Sequence, residues 1–449
     1  MQNQITQQTF DEMLATLRKV LSFNTIKSPA KENMPFGEGN AECLNFVLDL
    51  AEKMGFKTYN CDNYAGHADF GDGQEIFGIL GHLDVVPVAE KGWKVPPFSA
   101  EIADGYLYGR GVLDDKGPMI SCLYAVKQLM DEGFCPSKKI RLIFGCDEES
   151  GWGCMDYYAK KVKLPSIGIS PDGDFPVINV EKGVCHLLLD AGKLPSGVTI
   201  DGGQRVNIVL DECSATIDGN VKVYRQVDSK KAENSDVEVC IKDDKTVITA
   251  YGKSAHGSTP QVGDNASRKL FKALKALYPD DETIKFVSDK ICGDFYGESW
   301  GISMQDAQSG KMTINLGFLR TKGDRLLLGL DIRYPVSYTQ TEVLEKIKQN
   351  SPADVKLKVQ NYHDPLYVPS DSTLVQTLLK IYNDLTGEKA KPLAVGGATY
   401  ARALPMGVAF GPVFPGDEKV IHETNERVSL KRLRLMTELY YRAIKELCQ

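Results

Sequence analysis

The chain has 449 residues, of which 42% are hydrophobic and 25% are charged. This length exceeds what a single hydrophobic core accommodates, about 250–300 residues, so we expect more than one domain. The average composition excludes collagen, a coiled coil and wholesale disorder, and no apolar run approaches the ~18 residues of a membrane span. With a formal net charge of −7, the chain lacks the excess of basic residues that is typical of a nucleic-acid-binding protein. We therefore expect partners other than nucleic acids and membranes.

The N-terminus and the cysteines indicate the compartment. Residues 1–10 are mostly polar and lack the apolar core of a secretory signal. The eleven cysteines have no regular spacing and include no Cys-x-x-Cys pair, which argues against a zinc ribbon or a thioredoxin motif. We therefore expect a reducing, cytoplasmic environment.

The first part of the chain alternates helix and strand patterns. Apolar residues have helical spacing in segments 10–21, 44–54 and 117–133. Buried-strand runs occupy segments 76–80, 140–146 and 166–170. Strands that alternate with helices predict an α/β domain with a mostly parallel, twisted sheet covered on both faces.

The pattern changes after about Gly183 and returns after Pro369. Antiparallel strand signals with interspersed helices predict an inserted α+β domain. Its predicted strands are 184–191, 237–241, 247–251, 312–319, 325–333 and 355–362. Segments 192–237 and 280–311 have no clear pattern. The sequence thus predicts an α/β domain over residues 1–182 and 366–449, interrupted by an α+β domain over residues 183–365.

Acidic residues and histidines follow the predicted strands of the α/β domain. His82 and Asp84 come directly after strand 76–80, Asp147-Glu148-Glu149 after strand 140–146, and Asp172 after strand 166–170. The carboxyl ends of parallel strands meet at one edge of a sheet, where α/β proteins place their ligands. Clustered carboxylates repel one another unless a cation neutralises them. One histidine with three or more carboxylates suits zinc or manganese.

Each of these signals alone has a simpler interpretation. A lone His-x-Asp is usually a structural pair, and Asp-Glu-Glu is more often a solvated turn or a helix N-terminus. Gly109-x-Gly111 could suggest a dinucleotide loop, but Asp114 replaces the third glycine and no strand clearly precedes the motif. The coincidence of four such signals at element boundaries favours a metal site.

The motifs together resemble the dinuclear zinc dipeptidase, carnosinase and aminoacylase family, with the greatest likeness to bacterial PepV-type dipeptidases. The resemblance rests on the stretches Gly81-His82-Leu83-Asp84, Gly109-Arg110-Gly111 through Asp114-Asp115-Lys116-Gly117, Asp147-Glu148-Glu149, Pro171-Asp172, Glu181-Lys182-Gly183, Gly396-Gly397-Ala398-Thr399, Phe414-Pro415-Gly416 and Ile421-His422-Glu423. It implies a zinc-exopeptidase-like catalytic domain with an inserted lid. One departure is visible, because Ala398 stands where a further glycine is common.

The resemblance also implies a site with two divalent metal ions, with zinc favoured and manganese or cobalt as other candidates. In that assignment Asp114 bridges both metals, and a cis peptide bond between Asp114 and Asp115 aims it between them. His82 and Asp172 complete one metal site, and Glu149 and His422 complete the other. Asp84 orients His82, and Glu148 is the general base.

The inserted domain contributes further residues in this family. By resemblance, His256 stabilises the oxyanion, Arg333 and Asn207 hold the free carboxylate of the substrate, and Gly397 belongs to the substrate-binding wall. Without the family context, His256 would be a surface-loop histidine and Arg333 a surface charge at a strand end. We interpret His67, His186 and His363 as structural residues.

The predicted enzyme is a metallo-dipeptidase acting on small peptides. The alternatives left open are a deacylase (aminoacylase) or a carboxypeptidase of the same family, and a binding protein whose site has decayed. Retention of Glu148 beside all five proposed ligands argues against a decayed site. A nucleotide-binding enzyme fails for lack of a phosphate loop. Because the insert is longer than a minimal lid, as in PepV-type enzymes, we expect a monomer in which His256 serves its own chain.

Overall fold

The computed structural model describes residues 5–221 and 237–449. The chain divides into two compact units. The first comprises residues 1–179, 367–393 and 399–449, and the second comprises residues 180–366 and 394–398. The second unit therefore interrupts the first along the sequence. It includes the short segment 394–398, which lies outside the boundaries expected for the insert.

The helices of the described ranges are α1 (Gln7–Leu21), α2 (Glu38–Lys53), α3 (Lys116–Asp131), α4 (Gly153–Lys161), α5 (Ser267–Leu277), α6 (Glu282–Phe286), α7 (Gln340–Gln349), α8 (Thr373–Thr386) and α9 (Leu430–Leu447). Short 3-10 segments occupy Pro260–Val262 and Tyr400–Ala403, and Val287–Ile291 is π-helical. Among the described residues, no helix combines the length and the apolar character needed to cross a membrane.

The strands in the same ranges are β1 (Lys57–Cys61), β2 (Ala65–Phe70), β3 (Ile76–His82), β4 (Ile102–Ala103), β5 (Tyr106–Tyr108), β6 (Lys139–Gly145), β7 (Ile167–Ser170), β8 (Gly173–Asp174), β9 (Ile178–Glu181), β10 (Gly183–Lys193), β11 (Val198–Gly202), β12 (Glu212–Asp218), β13 (Val237–Lys242), β14 (Lys245–Tyr251), β15 (Gln305–Asp306), β16 (Gly310–Lys311), β17 (Thr313–Lys322), β18 (Arg325–Tyr334), β19 (Lys356–His363), β20 (Leu366–Tyr367), β21 (Leu393–Val395), β22 (Met406–Ala409), β23 (Pro412–Val413) and β24 (Arg427–Ser429).

The first unit contains most of a nine-stranded sheet with the order β1-β2-β6-β3-β7-β22-β9-β20, in which β21 pairs with β9. Its centre, β6-β3-β7-β22, is parallel, whereas β1-β2 and β2-β6 are antiparallel. The central strands are buried apolar runs, as expected for parallel strands covered on both faces. The predicted α/β architecture is confirmed.

Helix α3 is the central helix of this unit and packs against α1 and α9. Thirteen of its sixteen residues are buried, including Lys116 at its first position. Its neighbours bury one apolar stripe each. Ser429 caps the N-terminus of α9, where its side chain accepts a hydrogen bond from the backbone amide of Arg432. Because α3 is buried along its length, the loop that precedes it is held on a rigid element.

The second unit is an antiparallel sheet of eight strands in the order β13-β14-β12-β11-β17-β18-β10-β19. Helices α5, α6 and α7 contribute apolar residues to the core beneath it, among them Phe271, Ile284 and Ile347. Helix α7 starts with a capping box between Thr339 and Glu342. This α+β architecture is the one the sequence predicts for the insert.

Some elements were not expected from the sequence. Strands β11 and β12 lie within segment 192–237, for which no pattern was apparent, and residues 222–236 of that segment lie outside the described residues. Both strands alternate buried and exposed positions, but small and polar residues between the apolar ones weaken the signal. The three-residue strand β5 precedes Gly109, where the sequence showed no clear strand.

Candidate active site

The carboxyl ends of three adjacent parallel strands carry most of the predicted site residues of the first unit. His82 is the last residue of β3, Glu148 and Glu149 follow β6, and Asp172 follows β7. Strand β3 lies between β6 and β7 in the sheet. These side chains therefore meet at one edge, and Asp114 and His422 reach the same place from loops.

The loop before α3 aims Asp114 into this cluster. The Asp114–Asp115 peptide bond is cis, as the resemblance implied. Gly111 has a φ of +90°, which favours glycine, and a Cβ on Gly117 would collide with the carbonyl oxygen of Val112. The glycines of the motif thus allow the tight turn that presents Asp114.

Asp114 lies between two histidines. Its Oδ1 is 2.9 Å from Nε2 of His82, and its Oδ2 is 2.8 Å from Nε2 of His422. The Oε1 of Glu149 is 3.0 Å from the same nitrogen of His422, and the Oδ2 of Asp172 is 3.8 Å from Nε2 of His82. The structure therefore brings together all five residues expected to bind metal, with one carboxylate oxygen of Asp114 facing each imidazole.

The donor set fits divalent cations. The Nδ1 of His82 lies 2.9 Å from the backbone carbonyl oxygen of Asp84, which can only accept, so Nδ1 carries the proton of the neutral ring. The lone pair on Nε2 then points at carboxylate oxygens and requires a proton or a cation between them. Ligand atoms of His82, Asp114 and Glu149 all lie within 4.8 Å of one another.

The cluster also carries an excess of buried negative charge. Burial raises the pKa of Glu148 well above its usual range, and the charges of Asp172, Glu149 and Asp114 add to that effect. Burial and the charge of Asp114 raise the pKa of Asp172 to about 7. Burial disfavours the charged form of His422, but Asp114 and Glu149 outweigh it and raise its pKa to about 11. A bound cation would relieve this imbalance.

Asp84 holds the turn that carries Glu148 and Glu149. Its carboxylate oxygens accept hydrogen bonds from the backbone amides of Glu148 and Glu149, at 3.0 and 3.1 Å. Its Oδ1 lies 3.5 Å from Nδ1 of His82, so the closer orienting contact to His82 comes from the backbone carbonyl of Asp84. Asp84 therefore links the histidine strand to the glutamate turn.

Two aromatic residues that the sequence analysis did not single out as functional frame the site. The indole Nε1 of Trp152 donates to Oε1 of Glu148 at 3.2 Å. Tyr400 packs edge-on against Trp152 and against the ring of His82, with centroid distances of 5.0 and 5.9 Å. Trp152 thus holds the carboxylate of Glu148, and Tyr400 packs against the ring of His82.

Glu426 is a further residue that the sequence analysis missed. It is fully buried, and its carboxylate accepts hydrogen bonds from Nη1 of Arg110 and from the amides of Gly111 and Leu113, at 2.6, 3.2 and 2.9 Å. A buried arginine requires such a partner, so Arg110 in the glycine motif was the available signal. Glu426 anchors the loop that ends in Asp114.

We expect Glu426→Ala to lower the free energy of unfolding by about 3–5 kcal/mol, because it leaves Arg110 buried without its charge partner. Urea denaturation followed by tryptophan fluorescence measures this change. The exposed Glu423 in the same loop is the matched control, and its alanine variant should stay within about 0.5 kcal/mol of the parent. Equal effects of the two substitutions would contradict the anchoring role of Glu426.

The remaining predicted residues lie in the second unit. The amide of Gly257 donates to the carbonyl oxygen of Asn207 at 2.7 Å, so the segments carrying Asn207 and His256 run side by side. The exposed His256 has its Nδ1 2.7 Å from Oγ of Ser258. This pairing places Asn207 and His256 close together in the second unit.

Arg333 is buried, not a surface charge at the end of a strand, with only 5% of its surface exposed. Its Nε and Nη2 donate to the carboxylate of Asp331 at 2.7 and 2.8 Å, and its Nη1 donates to the carbonyl oxygen of Gly396 at 2.9 Å. Arg333 therefore lies beside the Gly396-Gly397 stretch. Asp331, fully buried, fixes its orientation and was not predicted.

Two of the three histidines interpreted as structural lie beside fully buried residues. The Nδ1 of His67 lies 2.6 Å from the hydroxyl of Tyr158, and burial lowers the pKa of His67 to about 4. His186 is 3.6 Å from Asp331. His363 is the last residue of β19.

An α/β domain with histidines and carboxylates at the ends of its parallel strands, interrupted by an α+β domain, defines a zinc-exopeptidase-like fold. Residues 78–446 match the family described as "Peptidase family M20/M25/M40". "Putative dipeptidase YtjP" of Bacillus subtilis (strain 168) is 37% identical over 455 residues, covering 98% of each chain. The chain belongs to this peptidase family and is a peptide hydrolase.

Solved structures support the fold assignment. An M20 family metallo-carboxypeptidase, Sso-CP2 from Sulfolobus solfataricus, superposes with a TM-score of 0.59 at 19% identity, over 97% of this chain and 99% of the other. Human carnosine dipeptidase 1 superposes with a TM-score of 0.58 at 15% identity, over 98% and 96%. At these identities the likeness concerns the fold.

Proposed function

We propose that this protein is a metal-dependent dipeptidase that hydrolyses the peptide bond of free dipeptides. The observation that carries the proposal is the position of Asp114, whose two oxygens lie 2.9 and 2.8 Å from Nε2 of His82 and Nε2 of His422. A carboxylate between two imidazoles is suited to bridging a pair of cations. The name of the Bacillus subtilis relative supports dipeptides as the substrate class.

In this proposal His82, Asp114 and Asp172 would hold one divalent cation, and Asp114, Glu149 and His422 the other. Zn²⁺ suits these nitrogen and oxygen ligands, and Mn²⁺ or Co²⁺ are alternatives. When bound, the cations supply an activated water nucleophile and polarise the scissile carbonyl.

Glu148 is the proposed general base. It takes the proton of the attacking water at a carboxylate oxygen and returns it to the leaving amine. Its Oε1 accepts the indole hydrogen bond of Trp152, which keeps the side chain in one orientation. The backbone amides of Glu148 and Glu149 are fixed by Asp84, so a base and a ligand on adjacent residues can serve different tasks.

The second unit is the proposed lid, with His256 stabilising the oxyanion and Asn207, Arg333 and Gly397 binding the substrate. The guanidinium of Arg333 has five N–H donors. Three of them bind Asp331 and Gly396, which leaves two for a carboxylate. Recognition of a free α-carboxylate this way would favour short peptides.

A comparison of substrates tests the assignment. The metal-loaded chain is given alanyl-alanine, its N-acetyl form and N-acetylalanine, and release of alanine is followed. A dipeptidase should cleave the free dipeptide with the highest kcat/KM. Preference for N-acetylalanine would indicate a deacylase, and preference for the N-acetylated dipeptide would indicate a carboxypeptidase. Either result would overturn the proposal.

We also propose an active monomer in which His256 acts within its own chain. Mixing His256→Ala chains with Glu148→Gln chains should then restore no activity. A dimer that shares His256 between subunits would form one intact composite site and regain turnover, which would reject the monomer.

All eleven cysteines are free, which supports the proposed reducing, cytoplasmic environment.

A further inference from the structure

A cavity of about 470 Å³ lies within the second unit. Its size falls in the ~300–1,000 Å³ range of small-molecule sites. Among the described residues that line it, the formally charged ones are Lys182 and Lys311. Much of the remaining wall carries hydroxyl groups, from Ser258, Thr259, Tyr296, Ser309 and Thr313. The cavity is therefore polar with a positive bias.

The cavity wall touches two residues that the proposed function places on the substrate. Gly396 lines the cavity, and its carbonyl oxygen accepts the hydrogen bond from Nη1 of Arg333 at 2.9 Å. Ser258 also lines it, and its Oγ lies 2.7 Å from Nδ1 of His256. A substrate held by Arg333 and His256 would have its C-terminal residue at the mouth of this cavity.

Backbone contacts hold Lys182 on the wall. Its amide donates to the carbonyl oxygen of Val395 at 3.0 Å, and its Nζ donates to the carbonyl oxygen of Lys311. Lys182 is half-buried, and this burial lowers the pKa of its ammonium group although the charge of Asp306 opposes the shift. An anion in the cavity would compensate for the lost hydration.

The two acidic residues near these lysines, Glu298 and Asp306, do not line the cavity. The Nζ of Lys311 lies 2.8 Å from Oε1 of Glu298, but both side chains are about half exposed, so this ion pair is screened by water. The carboxylate of Asp306 accepts hydrogen bonds from the amides of Ser309 and Ser337 at 2.6 and 3.0 Å.

We propose that this cavity receives the side chain of the C-terminal residue of the substrate and selects an acidic one, aspartate or glutamate, through Lys182 and Lys311. The inference rests on the proposed function, because it requires the α-carboxylate of the substrate at Arg333. It adds a preference among dipeptides that the metal site itself cannot impose.

The test compares alanyl-glutamate with alanyl-glutamine, which have nearly the same shape and differ in charge. In the metal-loaded full chain, kcat/KM should favour alanyl-glutamate by about tenfold, as expected for partly exposed charge-assisted contacts. Raising the salt concentration should reduce this ratio, because the lysines are only partly buried.

Lys311→Gln should bring the ratio of the two kcat/KM values towards one. Lys193→Gln is the matched control, since Lys193 is also exposed in the second unit and pairs with one acid, Asp324, at 2.9 Å. That variant should keep the parent ratio. Lys182→Gln is the second variant. Each ratio compares two substrates on one preparation, so a partial loss of folded protein does not change the ratio.

A ratio near one in the parent chain, or a ratio that neither lysine substitution changes, would overturn the inference and leave the dipeptidase assignment standing. Absence of turnover with every dipeptide, including alanyl-alanine, would reject the proposed function and the inference with it. The two failures are therefore distinguishable.

Discussion

Asp114→Ala is expected to abolish tight binding of divalent metal and, with it, peptide hydrolysis. Asp114 contacts His82 and His422 through separate oxygens, so its loss removes an anionic ligand from both proposed cation positions. Removing residues that only support a ligand lowers metal affinity about 10–100-fold, and loss of a shared ligand should exceed that range. Metal content after dialysis, measured by mass spectrometry, and turnover of alanyl-alanine measure the two effects.

Asp174→Ala is the matched control for this substitution. Asp174 follows Asp172 by two residues and is part of β8, but the proposal gives it no ligand role. This variant should retain metal and activity near the parent values. An Asp114→Ala chain that kept both metals and full turnover would show that the bridging assignment is wrong.

Glu148→Gln should keep the metals and lose at least ~10²-fold in kcat, the low end of the contribution of general acid–base catalysis. The amide retains an oxygen that can accept the hydrogen bond from Trp152, so the shape of the site is preserved. Only the ability to take up and release a proton is removed. Metal content and kcat on the same preparation measure this separation.

The neighbouring substitution Glu149→Gln provides the contrast. Glu149 lies 3.0 Å from Nε2 of His422 and is a proposed ligand, so its amide should weaken metal binding. Adjacent glutamates would thus give opposite patterns, one losing catalysis with metal retained and the other losing metal. If Glu148→Gln lost metal, or retained most of the parent kcat, Glu148 would not be the general base.

The sheet of the first unit could be predicted because its central strands are continuous apolar runs. Strands β3, β6 and β7 are buried on both faces, so burial alone determines their composition. Strands β11 and β12 could not be predicted, because each has one exposed face that accepts polar residues and so dilutes the pattern.

The candidate metal ligands could be predicted because strand ends and the family motifs locate them in the sequence. The residues that hold these ligands and Arg333 in place could not be predicted from the sequence. Glu426 reads as one acid in a polar loop, and only folding brings it to Arg110, 316 positions away along the chain. Asp331 lies only two residues from Arg333 in β18, so the spacing puts both side chains on one face of the strand, but the sequence does not reveal that both are buried.

Metal stoichiometry measured together with turnover tests the central claim most directly. The purified chain is analysed for metal by mass spectrometry and assayed with alanyl-alanine, before and after removal of metal with a chelator, and again after addition of Zn²⁺ or Mn²⁺. We predict two equivalents of divalent metal per active chain, loss of turnover with the chelator and recovery on reloading. Full dipeptide turnover by the metal-free chain would contradict the account.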